Sequence, residues 1–215
     1  MSSPKACTIN SLFPQSNLLS GSSPAPYFDS SRHILTGIGV SVPSDIIKGQ
    51  IEALVEAAEA AATSLACGSI LAGQGSEGDD HGDVGLWLGK GAYGKGHESE
   101  VLDALGLQSW AQGEKVSNNV YLCDPQLCLL CSQIVAVELQ PHSLFSTFPA
   151  NLDLKSNNTT IDDLTKILSS FRQKYCFRVK KAGPSSGGLV AFLLLGQLND
   201  EGWGGLVGIG VWADD

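Results

Sequence analysis

The sequence predicts an α+β protein with a twisted antiparallel sheet and flanking helices, and three observations support this fold class. Strand-like patterns, alternating or continuously apolar, recur at residues 33–42, 84–93, 126–139, 176–181 and 189–198. Helix-like patterns occupy residues 46–66, 97–111 and 162–175. The 25 glycines and a charged fraction of only 16% are closer to a β-rich protein than to a helical bundle.

The chain divides into two parts of unequal length. Residues 1–31 are rich in serine and proline and predict an extended N-terminal arm. Residues 32–215 are long enough for one hydrophobic core and predict a single domain. The first residues lack the apolar core of a secretory signal, and no run of about 18 apolar residues follows. We therefore expect a cytoplasmic protein whose six cysteines are thiols.

Residues 49–96 predict a two-limbed hairpin with a charged tip. The limbs, 50–72 and 84–96, are poor in bulky and charged side chains, and the tip 77–83 reads EGDDHGD. Two such limbs can leave a soluble fold and enter a bilayer as paired strands. The residues expected to insert into the membrane are Val84, Leu86, Trp87, Leu88, Ile70 and Leu71.

The two limbs differ in how clearly they predict a conformation. Residues 46–66 have high helix propensity, yet the SILAGQG that follows Gly68 is strand-like or loose, so helix and strand both remain open. In the second limb, Leu86 and Leu88 share one face by the period of two residues, and Trp87 lies on the opposite face.

The loop Gly89–Gly96 contains the spacing G-x-G-x-x-G between a predicted strand and a predicted helix. This order is typical of a phosphate-binding loop, so an alternative function is a nucleotide- or phosphate-binding enzyme. Two features oppose that interpretation. Gly96 stands where a magnesium-binding hydroxyl is needed, and strands and helices do not alternate as in a parallel sheet.

The cysteines and histidines predict no catalytic or metal site. Cys123, Cys128 and Cys131 match part of an iron–sulfur spacing, with Cys176 as a fourth ligand, but the intervening residues are strand-like. We interpret these cysteines as small buried hydrophobes. The four histidines are scattered and form no triad with a nucleophile and an acid. We therefore expect no catalytic residue, no metal and no cofactor.

Five of the thirteen basic residues lie within ten positions, and they are Arg172, Lys174, Arg178, Lys180 and Lys181. A solvated helix end and strand start is the simpler interpretation of this cluster. The functional interpretation is a contact with anionic lipid headgroups, because the net charge of −9 makes any such attraction depend on local basic patches. The same net charge argues against a nucleic-acid partner.

The order of these elements resembles the pore-forming domain of gasdermins, in particular the short fungal regulator-of-cell-death proteins. Three stretches carry the resemblance: SDIIKGQIEALVEA, HESEVLDALG leading through QGEKVSNNVYLC, and KYCFRVKK. It covers roughly residues 30–200 as an order of elements. The basic first helix of that family has no counterpart in residues 1–31.

The resemblance implies a pore-forming protein that permeabilises membranes in regulated cell death. It implies a cytoplasmic protein that moves to the cell membrane when activated, with anionic membrane lipids as partners. The assembled form would be a homo-oligomer, or a hetero-oligomer with a related variant. Because no inhibitory C-terminal domain is expected, the fold itself would keep the protein inactive until such a variant is met. Strands of about 9–11 residues are long enough to cross a bilayer.

Overall fold

The computed structural model describes residues 3–14, 25–73, 76, 80–111, 134–138, 159–181 and 187–211, with residues 111 and 134–138 described by their backbone alone. The described part has an α+β fold. Its helices are α1 (Pro4–Leu12), α2 (Asp45–Ser64), α3 (Glu98–Leu105), α4 (Gln108–Ala111) and α5 (Thr159–Ser169). Its strands are β1 (Tyr27–Asp29), β2 (Ile34–Thr36), β3 (Val84–Gly89), β4 (Ile134–Glu138), β5 (Arg172–Lys180), β6 (Leu189–Leu198) and β7 (Gly202–Val211).

The described strands form one seven-stranded sheet in the order β1-β2-β3-β7-β6-β5-β4. Every neighbouring pair is antiparallel except β2 and β3, which run parallel. The prediction of an antiparallel sheet is therefore corrected to a mixed sheet. The parallel pair arises because α2 connects β2 to β3, and such a helical crossover returns the chain to the end of the sheet from which it started.

The segment for which the sequence left helix and strand open forms the helix α2. It begins after Ser44, whose hydroxyl accepts a hydrogen bond from the backbone N–H of Ile47 at 3.4 Å. Its buried residues recur at helical spacing, and they are Ile47, Ile51, Leu54, Val55, Ala58, Ala61 and Ala62. The helix therefore packs this apolar face on the sheet.

The N-terminal residues differ from the expected extended arm, because Pro4–Leu12 is the helix α1. Its first turn begins with a proline, and the hydroxyl of Ser3 accepts a hydrogen bond from the backbone N–H of Ala6 at 3.3 Å. The hydroxyl of Thr8 donates to the carbonyl of Gly82, two residues before β3, at 2.6 Å. This long-range contact attaches α1 to the sheet and favours the helical conformation.

Helices cover both faces of the sheet. The face packed against α2 and α5 is named the α2 face, and the face packed against α1, α3 and α4 is named the α3 face. Alternate residues of β3 divide between the faces as the sequence predicts, with Leu86 on the α3 face and Trp87 on the α2 face. Because each face carries its own buried cluster, the central strands are enclosed on both sides.

Strand β7 presents glycines to the α2 face. A Cβ added to Gly204 would lie 2.9 Å from the carbonyl oxygen of Leu86 and 3.4 Å from Cδ1 of Ile51. In the neighbouring strand β3, a Cβ on Gly85 would lie 2.6 Å from Cγ2 of the same isoleucine. The side chains of α2 therefore pack directly on the backbone of the central strands.

The predicted boundaries agree best where a strand has apolar residues throughout. β6 coincides with the predicted strand 189–198. The predicted helix 162–175 is displaced, because α5 ends at Ser169 and the residues after the turn pair with β6 as β5. Of the predicted strand 126–139, residues 134–138 form β4, and the others lie outside the described residues.

Replacing Gly49 with alanine should raise the free energy of unfolding by about 0.5–1 kcal/mol. Gly49 lies inside α2, and a Cβ added there meets no atom within 4 Å. Alanine restricts the unfolded chain and favours the helix without introducing a clash. Urea denaturation of both proteins measures the difference. A loss of stability would show that this side of α2 contacts part of the chain outside the described residues.

Candidate functional site

The residues expected to insert into a membrane are buried, with exposed fractions of 4% or less. Three of them lie in the cluster on the α3 face, and these are Val84, Leu86 and Leu88. The other three lie in the cluster on the α2 face, and these are Trp87, Ile70 and Leu71. The fold thus places the six residues on opposite sides of the sheet, and their insertion would require the core to open.

The predicted hairpin over residues 49–96 is not formed in this structure, because its two limbs do not pair with each other. The first limb is mainly the helix α2. The second limb supplies β3, which pairs with β2 on one side and with β7 on the other. β3 therefore lies inside the sheet, where its departure would break two ladders of backbone hydrogen bonds.

The predicted solvated tip is wrong for Asp83, whose exposed fraction is 5%. Its carboxylate accepts hydrogen bonds from the hydroxyl of Ser69 at 2.6 Å and from the backbone N–H of Ile70 at 2.7 Å. The same hydroxyl accepts from the N–H of Ala72 at 3.1 Å, so residues 69–72 fold around the carboxylate. Asp83 is therefore the centre of a buried polar cluster that joins the chain before β3 to the segment after α2.

The environment of Asp83 has opposing effects on its proton affinity. Burial raises its pKa to about 6, and the hydrogen bonds from Ser69, Ile70 and Leu71 together with the charge of Lys5 oppose that rise. The carboxylate also lies directly over Gly208 of β7, where a Cβ would meet its oxygen. The absence of a side chain at Gly208 therefore makes room for this cluster.

The five basic residues expected to contact lipid follow β5 but do not form one patch. Arg172 lies 3.6 Å from the carboxylate of Asp200. The ammonium of Lys181 lies 5.5 Å from the ring centroid of Trp110, which belongs to the cluster on the α3 face. Lys174 is half-buried, and its ammonium donates a hydrogen bond to the backbone carbonyl of Phe171, three residues earlier. Three of the five basic side chains are thus committed to different local contacts.

The other two basic residues, Arg178 and Lys180, belong to a strand with two contrasting sides. Tyr175, Phe177 and Val179 of β5 are buried in the cluster on the α3 face. Successive side chains of a strand point to opposite faces, so Arg178 and Lys180 lie on the α2 face, where both are exposed. β5 is therefore apolar on the α3 face. On the α2 face it is basic near its C-terminal end.

The glycine-rich loop after β3 differs from the phosphate loop that its spacing predicts. The backbone N–H of Gly96 donates to Oε1 of Glu98 at 2.9 Å. Glu98 and Glu100 both lie in the first turn of α3. These carboxylates occupy the helix N-terminus, where a phosphate loop would hold its anion. The loop is nevertheless fixed in position, because the hydroxyl of Tyr175 donates to the carbonyl of Tyr93 at 2.7 Å.

The described residues contain no group of three or more histidine, cysteine, aspartate or glutamate side chains placed to hold a metal ion. Of the cysteines in the iron–sulfur spacing, Cys123, Cys128 and Cys131 lie outside the described residues. Cys176 lies on β5, where burial raises the pKa of its thiol to about 11. A metal bound at Cys176 would have to displace this proton.

No family model, curated protein or solved structure matches this chain. Within the described part of the chain, none of the helices has both the length and the apolar character that crossing a bilayer requires. Function is therefore inferred from the chemistry of the described residues themselves.

Two features of the described structure are not apparent from the sequence pattern. The first is the buried carboxylate of Asp83, which sequence places within an acidic run. The second is a bulge in β5 between Arg172 and Tyr175, where Gln173 has a positive φ of 48°. The only local signal for the bulge is the polar run RQK at the start of the strand, which interrupts its alternation.

Proposed function

We propose that this protein permeabilises anionic membranes by inserting paired strands, and that β4 and β5 supply the inserting pair. The supporting observation is the two-sided character of β5, which is apolar on the α3 face and carries Arg178 and Lys180 on the other. A strand in a membrane alternates between lipid-facing apolar residues and polar residues that face water. β5 follows this alternation better than β3, which is apolar on both sides.

The length of β5 suits this role. It contains nine residues, and a strand that crosses a bilayer needs about 9–11. β4 contains five residues, so it would have to lengthen when the pair inserts. Tyr175, Phe177 and Val179 would face the lipid, and Arg178 and Lys180 would face water or anionic headgroups. Because the chain carries a net charge of −9, these exposed basic residues are where attraction to an anionic surface is expected.

The position of β5 in the sheet also favours its release over that of β3. Among the described strands, β4 is the outermost on this side of the sheet, and β5 is next to it. Within that set, the antiparallel pair can leave by breaking one ladder, the one between β5 and β6. Release of β3 together with its antiparallel partner β7 would instead break two ladders, the one between β2 and β3 and the one between β6 and β7.

The helix α5 holds this pair in the soluble fold. α5 precedes β5 and buries Ile161, Leu164 and Leu168 in the cluster on the α2 face. It packs along α2, and the hydroxyl of Thr160 donates to that of Ser64 at 3.0 Å. Insertion of β5 would require α5 to separate from α2, so this contact keeps the protein in its soluble form.

The proposed active form is an oligomer. A single inserted pair would leave unpaired backbone groups at both of its edges, and such groups are costly in lipid. Several copies, or copies of this chain together with a related variant, would pair these edges into a closed ring. The protein would then reside in the cytoplasm before activation and at the cell membrane afterwards.

A reversible cross-link between α2 and α5 should abolish dye release from vesicles. We expect the double variant Ser64→Cys, Thr160→Cys to form a disulfide, because the two hydroxyl oxygens lie 3.0 Å apart. With the disulfide formed, α5 cannot leave α2, so release from phosphatidylserine-containing vesicles should fall to background. Reduction should restore it. The measurement is fluorescence release with and without phosphatidylserine, and with and without a related variant.

The oxidised wild type and the two single variants are the matched controls, because they undergo the same treatment without the cross-link. Undiminished release by the cross-linked protein would show that insertion does not require α5 to move. Absence of release by the wild type under every one of these conditions would refute membrane permeabilisation itself.

A further inference from the structure

A cavity of about 580 Å³ lies between the glycine-rich loop after β3 and the first residues of β5. Its polar lining consists of Lys95, His97, Gln173, Lys174 and Gln197. Ligand sites for small molecules commonly enclose about 300–1,000 Å³ and hold a few convergent polar groups. The cavity therefore has the volume of a small-molecule site and several convergent polar groups.

The β5 bulge directs side chains into this cavity. The pairing of β5 with β6 shifts register between Arg172 and Tyr175, and Gln173 has a φ of 48°. A non-glycine residue with this φ is strained, and such strain persists only where the surrounding structure stabilises it. The bulge takes Gln173 and Lys174 out of the strand alternation, and both residues line the cavity.

The opposite wall is formed by a loop that is already fixed. The hydroxyl of Tyr175 donates to the carbonyl of Tyr93 at 2.7 Å. A Cβ added to Gly94 would lie 3.5 Å from the ring of Trp203 and 3.8 Å from Oε1 of Gln173. The loop therefore packs on the sheet through a glycine that has no side chain. Ligand binding would not have to bear the entropic cost of ordering this loop.

Lys174 gives the cavity its charge preference. Its ammonium donates to the carbonyl of Phe171 at 2.7 Å, and among the described residues no carboxylate pairs with it. Burial lowers its pKa, which reflects the cost of a charge that lacks a counter-ion. An anion in the cavity would supply that counter-ion. Lys95 lines the same cavity and adds a second positive charge.

The carboxylates of Glu98 and Glu100, in the first turn of α3, make other contacts. Oε1 of Glu98 accepts from the N–H of Gly96 at 2.9 Å. Glu100 accepts from the hydroxyl of Ser99 at 2.8 Å and lies 3.3 Å from Nδ1 of His97. Both carboxylates are therefore engaged with the loop and with the first turn of α3.

We infer that this cavity binds a phosphate monoester, held by the ammonium groups of Lys95 and Lys174 and by the amides of Gln173 and Gln197. The dianion of a monoester matches two cations, and its three terminal oxygens accept hydrogen bonds from several donors. This mode differs from a phosphate loop, because the anion contacts side chains across the loop and not the helix N-terminus. The monoester can belong to a soluble metabolite or to the headgroup of phosphatidic acid.

Calorimetric titration with glycerol 3-phosphate tests the cavity, with sodium chloride at equal ionic strength as the reference. We expect saturable binding to the wild type. Lys174→Met should weaken it about tenfold, because a charge-assisted hydrogen bond and its counter-ion are lost. Lys95→Met, at an exposed position that does not endanger the fold, should also weaken it. Lys166→Met, at an exposed position of α5, removes the same charge, and this variant should bind glycerol 3-phosphate like the wild type.

Vesicles distinguish the two sources of the monoester. Binding to phosphatidic acid vesicles that Lys174→Met weakens and glycerol 3-phosphate competes would identify the headgroup as ligand. Binding of glycerol 3-phosphate without vesicle binding would identify a soluble monoester. No saturable binding to either probe, or equal binding by Lys174→Met and Lys166→Met, would overturn the inference. Because no arm measures leakage, the result is independent of membrane permeabilisation.

Discussion

Replacing Asp83 with asparagine should remove about 3 kcal/mol of pH dependence from the free energy of unfolding between about pH 4 and pH 7. In the folded protein, burial raises the pKa of Asp83 from 3.8 to about 6. The folded state therefore binds this proton more tightly than the unfolded state does. The stability that protonated Asp83 contributes is complete below about pH 3.8 and is lost as the pH rises through about 6.

The measurement is chemical denaturation of both proteins at several pH values, because the difference between them cancels the other titrating groups. Lys5, His33 and Glu59 line the cavity beside Asp83 and remain unchanged in both proteins. The variant should gain stability relative to the wild type as the pH rises from about 4 to 7. A difference that stays constant with pH would show that the carboxylate titrates with its ordinary pKa.

Leucine at the same position separates hydrogen bonding from charge. The amide oxygen of asparagine can still accept from the N–H of Ile70, and its amide N–H can donate to the hydroxyl oxygen of Ser69, so both neighbours keep a hydrogen-bond partner. Leucine provides no hydrogen-bonding atom. The buried hydroxyl of Ser69 and the N–H of Ile70 would then lack acceptors, which lowers the free energy of unfolding by about 3 kcal/mol in total. We therefore expect Asp83→Leu to be less stable than Asp83→Asn by about this amount at every pH.

Replacing Gly205 with alanine should lower the free energy of unfolding by about 3 kcal/mol. A Cβ there would meet the carbonyl oxygen of Leu194 in β6 and would lie 2.9 Å from its carbonyl carbon. Neither strand can move aside easily, because β7 pairs with β6 on one side and with β3 on the other. The clash is with backbone, so a change of side-chain rotamer cannot relieve it.

Urea denaturation of Gly205→Ala beside Gly49→Ala provides the comparison. The two variants add the same methyl group, one between paired strands and the other on a helix with no atom within 4 Å. Their effects should have opposite signs. A loss of less than about 1 kcal/mol in Gly205→Ala would mean that the central ladder is more adaptable than close packing implies.

Local patterns predicted those elements whose conformation depends mainly on neighbouring residues. The continuous apolar run of β6 defines that strand at its observed boundaries. The alternation in β3 placed Leu86 and Trp87 on opposite faces, as observed. For α2 the small residues fit either conformation, and packing of Ile51 and Leu54 on the sheet decides for the helix.

Long-range contacts decided the features that the sequence did not predict. Consecutive acidic residues suggest solvent exposure for Asp83, but its partners Ser69 and Ile70 lie 14 and 13 residues earlier in the chain, a contact that no local pattern specifies. Ser3 and the proline after it are a recognisable helix start, yet the serine-rich composition around them favours an extended arm. The contact of Thr8 with Gly82 resolves that conflict in favour of the helix.

The sequence identifies which residues belong to the candidate sites, but it does not predict their positions relative to one another in the fold. The sequence groups Arg172, Lys174 and Lys181 with the other basic residues of β5. The bulge and the strand alternation separate them, so that one lines a cavity and another covers Trp110. Proximity along a chain cannot show such a separation, because it depends on which residue of β6 pairs with each residue of β5.

The place of β3 between β2 and β7 has a consequence for how the protein is made. Gly85 of β3 pairs with Leu206 of β7, about 120 residues later in the chain. At ordinary rates of synthesis, one edge of β3 waits on the order of 10 s for its partner strand to leave the ribosome. During that interval an apolar strand has an open edge, which is a template for association with other nascent chains. Efficient production of this protein should therefore depend on a chaperone that shields β3 until β7 arrives.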